Sequence, residues 1–160
     1  MLKWNGKKVS EQIEKQNRIG VKKACMLLER EIKQSMKSTP RLTETKYKRQ
    51  KGKKGIYHHP SPPGSPPAVD TGRLIGSISH NFSWEGIGRG VTTGQAKPED
   101  GVSQPTAGKN ESVGVTGTAV EYAPYLEFGT PNKKVGKMEA RPFLREALIK
   151  NQDKIAGMFK

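Results

Sequence analysis

The sequence is poor in the residues that build a large core or a covalent framework. Only 32% of its 160 residues are hydrophobic and 6% are aromatic, whereas a typical globular domain contains about 45–50% apolar residues. The chain can therefore bury only a modest core. Its single cysteine, Cys25, excludes a disulfide within the chain and indicates a reducing compartment. We expect Cys25 to be a small buried residue of a helix.

Long apolar runs are absent as well. No stretch approaches the roughly 20 apolar residues that span a membrane. The first 16 residues contain no apolar core of signal-peptide length. We therefore expect a soluble protein that is made in a cytoplasm and has no membrane partner. The length favours a single domain over residues 1–160.

Acidic residues are outnumbered almost two to one. Lys and Arg total 29 against 15 Asp and Glu, which gives a formal net charge of +14. Such a charge indicates a nearby polyanion, an acidic protein surface or a lumen that DNA passes through. A basic and proline-rich loop is predicted over residues 37–67, and it ends in the extended strap SPPGSPP. The loop is either a solvated segment or a contact for DNA or an acidic partner. The side chains that would make this contact are Lys46, Lys48, Arg49, Lys51, Lys53 and Lys54.

Motifs that would carry catalysis lack their supporting context. The triplet DTG at residues 70–72 matches the aspartic proteases, whose chemistry needs two such aspartates, and the chain has one copy. The run GIGRG at residues 86–90 is neither a Walker A loop nor GxGxxG. His58 and His59 point opposite ways on an extended chain and have no further ligands at metal-binding spacing. We therefore predict no enzyme activity, no catalytic or metal-binding residue and no cofactor.

Hydrophobic periodicity predicts a helix at each end of the chain. Apolar residues recur at three- and four-residue steps over residues 9–36, with Ser10 near the start and Gly20 at a bend or close helix contact. A second helix is predicted over residues 141–160, with Pro142 at its first position. Between them, Asp70 is predicted to cap a short turn at residues 71–75. The apolar stripe of the second helix comprises Phe143, Leu144, Ala147, Leu148, Ile155 and Met158.

Strand patterns fall between the two helices. Alternation over residues 78–84 predicts a half-buried strand with Ile78, His80, Phe82 and Trp84 on one face. Residues 87–93 are predicted as its hairpin partner, and residues 112–118 as a further short strand. The glycine-rich residues 86–111 otherwise form a long surface excursion. The predicted fold class is α+β: a long N-terminal helix and a C-terminal helix packed on one face of a small antiparallel sheet, with long flexible loops.

One stretch concentrates the few aromatic residues. Residues 120–148 read VEYAPYLEFGTPNKKVGKMEARPFLREAL. Charges stand among the rings, and Glu127 and Arg141 are predicted to pair and hold the stretch against the last helix. The rings either pack beneath it or across to a neighbouring subunit, where aromatic and Arg side chains are common anchors. The candidate interface residues are Tyr122, Tyr125, Glu127, Phe128, Arg141 and Phe143.

Three segments, in this order, resemble the head–tail joining family of tailed bacteriophages, also called neck or tail-completion proteins. VDTGRLIGSI at residues 69–78 resembles the family pattern D-T-G-x-L-x-x-S-I. VEYAPYLEFGT at residues 120–130 resembles Y-A-x-[YF]-x-E-[FY]-G-T, and ARPFL at residues 140–144 resembles A-R-P-F-[LM]. With the N-terminal helix, the resemblance covers roughly half of the chain. The basic loop and residues 86–110 look individual to this protein.

The resemblance implies a structural virion protein without enzyme activity. It implies a ring, of six copies by preference, at the head–tail junction around the DNA path, as a neck, tail-completion or tail-terminator protein. The implied partners are further copies of the chain, the connector or head-completion protein, the tail tube protein and genomic DNA in the lumen. Such a protein is made in the host bacterial cytoplasm and resides in the virion. The composition alone leaves an alternative, a free basic module that binds DNA without sequence preference.

Overall fold

The computed structural model describes residues 5–42, 47–48, 57–58, 60–86, 88–131 and 138–159. Mixed helices and short antiparallel strands confirm the α+β class. The helices are α1 (Gly6–Ser38), α2 (Arg73–Ser77), α3 (Ala123–Phe128) and α4 (Leu144–Gly157), with a 3₁₀ turn at Pro98–Asp100. The strands are β1 (Tyr47–Lys48), β2 (Tyr57–His58), β3 (Ser79–Phe82) and β4 (Gly114–Gly117). None of the helices in the described ranges is both long and apolar enough to cross a bilayer.

The long helix α1 supports the other elements. It packs against α4, β3 and β4. It extends past both predicted ends, and it starts early because Asn5, not Ser10, caps it. The Asn5 side chain accepts a hydrogen bond from the Lys8 backbone N–H at 3.3 Å. Of the two roles predicted for Gly20, a bend or a close helix contact, the structure has a close contact: a Cβ there would lie 2.7 Å from the ring of Phe159, which follows α4.

Strand β3 pairs with β4 and, within the described part of its predicted partner, not with residues 88–93. The antiparallel register joins Ser79 to Gly117 and Phe82 to Gly114, while β1 and β2 form a separate pair. The predicted hairpin partner is therefore wrong. Residues 88–102 instead cover one face of β3, where Asn81 donates to the Gly88 carbonyl at 3.0 Å and the Val102 N–H donates to Ser79 Oγ at 3.1 Å.

The two faces of β3 are both covered. On the face towards α1, His80, Phe82 and Trp84 form a line of rings with centroids 5.2 and 4.9 Å apart, as the alternation predicted. Arg18 of α1 lies over the Trp84 ring at 5.7 Å. The opposite face, predicted to be exposed, is buried at Ser79 and Asn81, because the glycine-rich excursion folds back over it.

The main core lies where the segments at residues 69–78, 120–130 and 140–144 meet. The buried cluster joins α1, α2, α3 and α4 and comprises Ile32, Met36, Leu74, Ile78, Val120, Ala123, Phe143 and Ala147. Phe143 is fully buried, and replacing such a residue with Ala typically costs about 3–5 kcal/mol. This core holds α3 and the start of α4 in a fixed arrangement.

Two further predicted helix starts, those of α4 and α2, are wrong. Helix α4 begins at Leu144, two residues after Pro142, and Leu148 is exposed instead of lying in the apolar stripe. Helix α2 begins at Arg73 after Gly72, which caps it at φ 87° without a side-chain hydrogen bond, so Asp70 is not its cap. A positive φ suits glycine, and it explains the third residue of DTG without any catalytic role.

Candidate functional site

Glu127 fixes α3 to the first turn of α4. Its carboxylate accepts three backbone hydrogen bonds, from the N–H groups of Phe143 (2.8 Å), Leu144 (3.1 Å) and Arg145 (3.0 Å). The first N–H groups of a helix lack partners within the helix, and that end carries partial positive charge. A carboxylate that is only 4% exposed is thus satisfied by the helix end that it caps.

The predicted ion pair between Arg141 and Glu127 is wrong. Its Nε donates to the Ser61 carbonyl at 3.0 Å, and its backbone N–H donates to the Leu126 carbonyl at 2.7 Å. The three N–H groups at the start of α4 already occupy the oxygens of Glu127, so the guanidinium turns to the proline-rich strap. The Gly64 N–H also donates to the Ala140 carbonyl at 2.9 Å. The strap therefore lies against the segment between α3 and α4.

Gly129 lets the chain leave α3 sharply. Its φ is 74°, and a Cβ there would lie 2.7 Å from the Met138 carbonyl oxygen and 2.9 Å from the Ala140 nitrogen. The next residue, Thr130, donates its N–H to that Met138 carbonyl at 2.8 Å. A glycine is needed here both for the backbone conformation and for the close approach.

The aromatic rings of residues 120–148, which we call the signature stretch, divide into a core residue and a surface set. Phe143 belongs to the core, whereas Tyr125 and Phe128 are 57% and 71% exposed, and Tyr122 is 38% exposed. Tyr125 and Phe128 are three residues apart and share the outer side of α3, while Ala123 and Glu127 point inward. We call Tyr122, Tyr125 and Phe128 the aromatic patch. Its exposure leaves these rings free for contacts outside the subunit.

Acidic residues border the aromatic patch. Glu121 and Asp70 are both exposed. Partial burial raises the pKa of the Tyr122 hydroxyl, the charge of Arg73 opposes this, and the carboxylates of Asp100 and Asp70 add to it. Asp70 therefore lies near Tyr122, at the edge of the patch.

A partly buried ion pair that the sequence did not indicate fastens the excursion to α2. Arg73 Nε and Nη2 donate to Asp100 Oδ2 and Oδ1 at 2.8 and 2.7 Å, and the Lys97 N–H donates to Oδ2 at 2.9 Å. Asp100 is only 2% exposed. The hydrogen bonds from Arg73 hold the pKa of its carboxyl down to about 2. Arg73 and Asp100 are 27 residues apart, so no local pattern predicts their contact.

Most of the predicted DNA-contact residues cannot be compared with this site. Lys46, Arg49, Lys51, Lys53 and Lys54 lie outside the described residues, as does His59. Lys48 belongs to β1, for which only the backbone is described. Within the part of the chain that the structure describes, no group of three or more His, Cys, Asp or Glu side chains could hold a metal ion.

The arrangement is suited to binding a macromolecule: a rigid base, formed by the capped junction of α3 and α4, presents exposed rings with an acidic border.

Comparison with models of known protein families, with curated proteins and with solved structures found no match to this chain.

Proposed function

We propose that this chain is a structural protein of a tailed bacteriophage that forms a ring at the head–tail junction. The observation that carries the proposal is the convergence of the three segments that resemble the head–tail joining family. Residues 69–78 supply Leu74 and Ile78 to the core cluster, and residues 140–144 supply Phe143. Residues 120–130 supply Ala123 to the same cluster and Glu127 to the start of α4.

The exposed rings support an assembly role. A buried base with an aromatic surface is the arrangement that subunit interfaces use, because Tyr and other aromatic residues contribute much of the binding free energy. A ring requires that one surface of each subunit fit a different surface of its neighbour. Six copies are preferred on the basis of the family resemblance. The proposal assigns no catalysis and no cofactor to the chain.

The proposed neighbours are the connector or head-completion protein on one side and the tail tube protein on the other. DNA would pass through the lumen, where the net charge of +14 favours contact with phosphates that does not depend on sequence. The protein would reside in the virion after synthesis in the host bacterial cytoplasm.

Deletion of the gene from its phage, followed by electron microscopy of the lysate, tests the proposal. We expect DNA-filled heads and tails that remain separate, and joined particles when the wild-type chain is supplied in trans. Normal-length free tails would place the protein as a joiner, and overlong tails would place it as a tail terminator. Intact infectious particles from the deletion would contradict the proposal.

A second candidate function, a free DNA-binding module, is favoured by the net charge alone. It predicts that the isolated subunit binds duplex DNA with an affinity that falls steeply with salt concentration. Replacing Lys46, Lys48, Arg49, Lys51, Lys53 and Lys54 with Gln would then abolish binding. Replacing the exposed Lys150 and Lys154 of α4 with Gln is the control, which measures the loss of affinity per charge removed outside the loop. If both sets of replacements reduce binding only in proportion to the charge removed, the binding is due to net charge and the loop is not a DNA-binding site.

A further inference from the structure

The amino-terminal half of α1, residues 6–19, is largely uncovered by the rest of the subunit, although Arg18 near its end lies over the Trp84 ring at 5.7 Å. All of its residues are exposed except Gly6 and Glu14, which are partly exposed. Burial begins at Gly20, where the ring of Phe159 packs after the end of α4. At about 1.5 Å per residue, these 14 residues form a helix about 21 Å long. This is a large surface for one subunit to leave uncovered.

An apolar stripe runs along this helix and continues the seam at which α4 packs. Val9 and Ile13 are four residues apart, and Gly20 and Ala24 follow on the same face of α1. Gly20 and Ala24 are buried in the subunit, whereas Ile13 is 57% exposed. A helix that keeps its apolar face beyond its own core is typical of one that packs against a partner.

The charges of this helix and of the aromatic patch are complementary. Residues 5–19 contain four basic and two acidic residues, and the aromatic patch carries the exposed Glu121 beside Tyr122. Glu14 already pairs with Arg18. Among the described residues, the side chains of Lys7, Lys8 and Lys15 form no ion pair, and the patch is bordered by Glu121 and Asp70. A basic amphipathic helix therefore fits an aromatic surface with an acidic edge.

The two surfaces lie at opposite ends of α4. Glu127 binds the first turn of α4 and thus places the aromatic patch there. The amino-terminal half of α1 begins beyond Phe159, which follows the last turn. Helix α4 has 14 residues and is about 21 Å long. Within one subunit the two surfaces cannot meet.

We propose that the amino-terminal half of α1 docks on the aromatic patch of a second copy of this chain. The contact is head to tail, so each subunit offers its helix to one neighbour and its patch to the other, as a closed ring requires. This inference rests on the proposed ring and specifies the surfaces that join its subunits.

Cross-linking between two differently tagged copies tests the contact. One copy carries Ile13→Cys and the other Phe128→Cys, and a short bismaleimide is added to the mixture. We expect a cross-linked product that contains both tags. A pair of Ile149→Cys with Ile13→Cys is the matched control, since Ile149 is an exposed apolar residue of α4 outside both surfaces. Chains with only the buried Cys25 give the background.

Disruption variants complete the test, with native mass spectrometry as the readout. Ile13→Asp should convert rings to monomers that keep the helix content of the wild type by circular dichroism, whereas Ile149→Asp should leave the rings intact. Rings that persist with Ile13→Asp, or cross-links from position 13 that reach position 149 or no copy at all, would overturn the docking contact and leave the proposed function standing. A wild-type chain that forms no ring, alone or with isolated phage heads, would overturn both.

Discussion

At the scale of single residues, Glu127 is the side chain on which the candidate site depends most. It is buried and accepts three N–H groups at the start of α4. Glu127→Ala removes the acceptor and leaves these donors without partners, so we expect a loss of about 1–3 kcal/mol in the free energy of unfolding. Chemical denaturation measures this loss. Glu139→Ala, at an exposed position, should change stability by less than about 0.5 kcal/mol, and equal effects of both variants would refute the capping role.

Gly114 is a second residue with a specific steric role. A Cβ at this position of β4 would lie 2.6 Å from Cys25 Sγ and 2.7 Å from Val21 Cγ1. Gly114→Ala should therefore push α1 away from the sheet and destabilise the protein by about 1–3 kcal/mol. Gly157→Ala is the control, because a Cβ there meets open space at the end of α4. It should be neutral or stabilising, as thermal unfolding of the two variants would show.

The pair of Arg73 and Asp100 predicts a pH dependence. The pKa of Asp100 is about 2 in the folded protein, whereas an unperturbed aspartate has a pKa of 3.8. Because the folded-state pKa is depressed, the stabilisation is present above about pH 4 and is lost as the pH falls towards 2. Asp100→Asn should be less stable at neutral pH and should lose less stability across that window. Urea denaturation at a series of pH values measures the difference, with the exposed Glu99→Gln as control.

At the scale of elements, hydrophobic periodicity predicted the helix and the strand whose buried residues recur at a regular spacing. The three- and four-residue steps of α1 after Gly20 and the alternation of His80, Phe82 and Trp84 reflect faces that pack within the subunit. The excursion at residues 88–110 has no such period, because its buried residues Asp100 and Val102 are fixed by contacts with Arg73 and Ser79 from elsewhere in the chain. Those contacts depend on the fold and are not encoded locally.

The signature stretch shows the same division. The sequence indicated that Glu127 fastens it to the last helix, but the partner was wrong: the carboxylate binds backbone N–H groups, and Arg141 binds the strap. The six-residue α3 was not predicted as a helix. Its helical form depends on Ala123 and Glu127, which are buried against the rest of the subunit, and short helices rely on such tertiary packing.

The amino-terminal half of α1 gives a prediction at this scale. In the isolated monomer its backbone amides lack tertiary cover, so amides of residues 9–17 should exchange with deuterium much faster than those of residues 24–36. In the assembled ring, docking should protect residues 9–17. Hydrogen exchange of the two states, separated by size, measures the change, and equal exchange in both would contradict the docking contact.

At the scale of the whole molecule, the charge is unevenly distributed. Residues 60–131 carry an acidic excess within a chain of net charge +14. If oppositely charged surfaces join the subunits, the association should weaken as salt screens them, since the Debye length shrinks from about 10 Å at 0.1 M to 3 Å at 1 M. Sedimentation at increasing salt concentration should therefore show rings giving way to monomers. An assembly that strengthens with salt would indicate an interface dominated by apolar contacts.

The central claim is that this subunit is built to form a closed ring. Its most direct test is the native mass of the purified wild-type chain, measured at several concentrations. The account predicts one discrete oligomer, with six times the protomer mass, which dissociates when Ile13 or Phe128 is replaced by Asp. A single protomer mass at every concentration, with isolated phage heads present as well as without them, would contradict it.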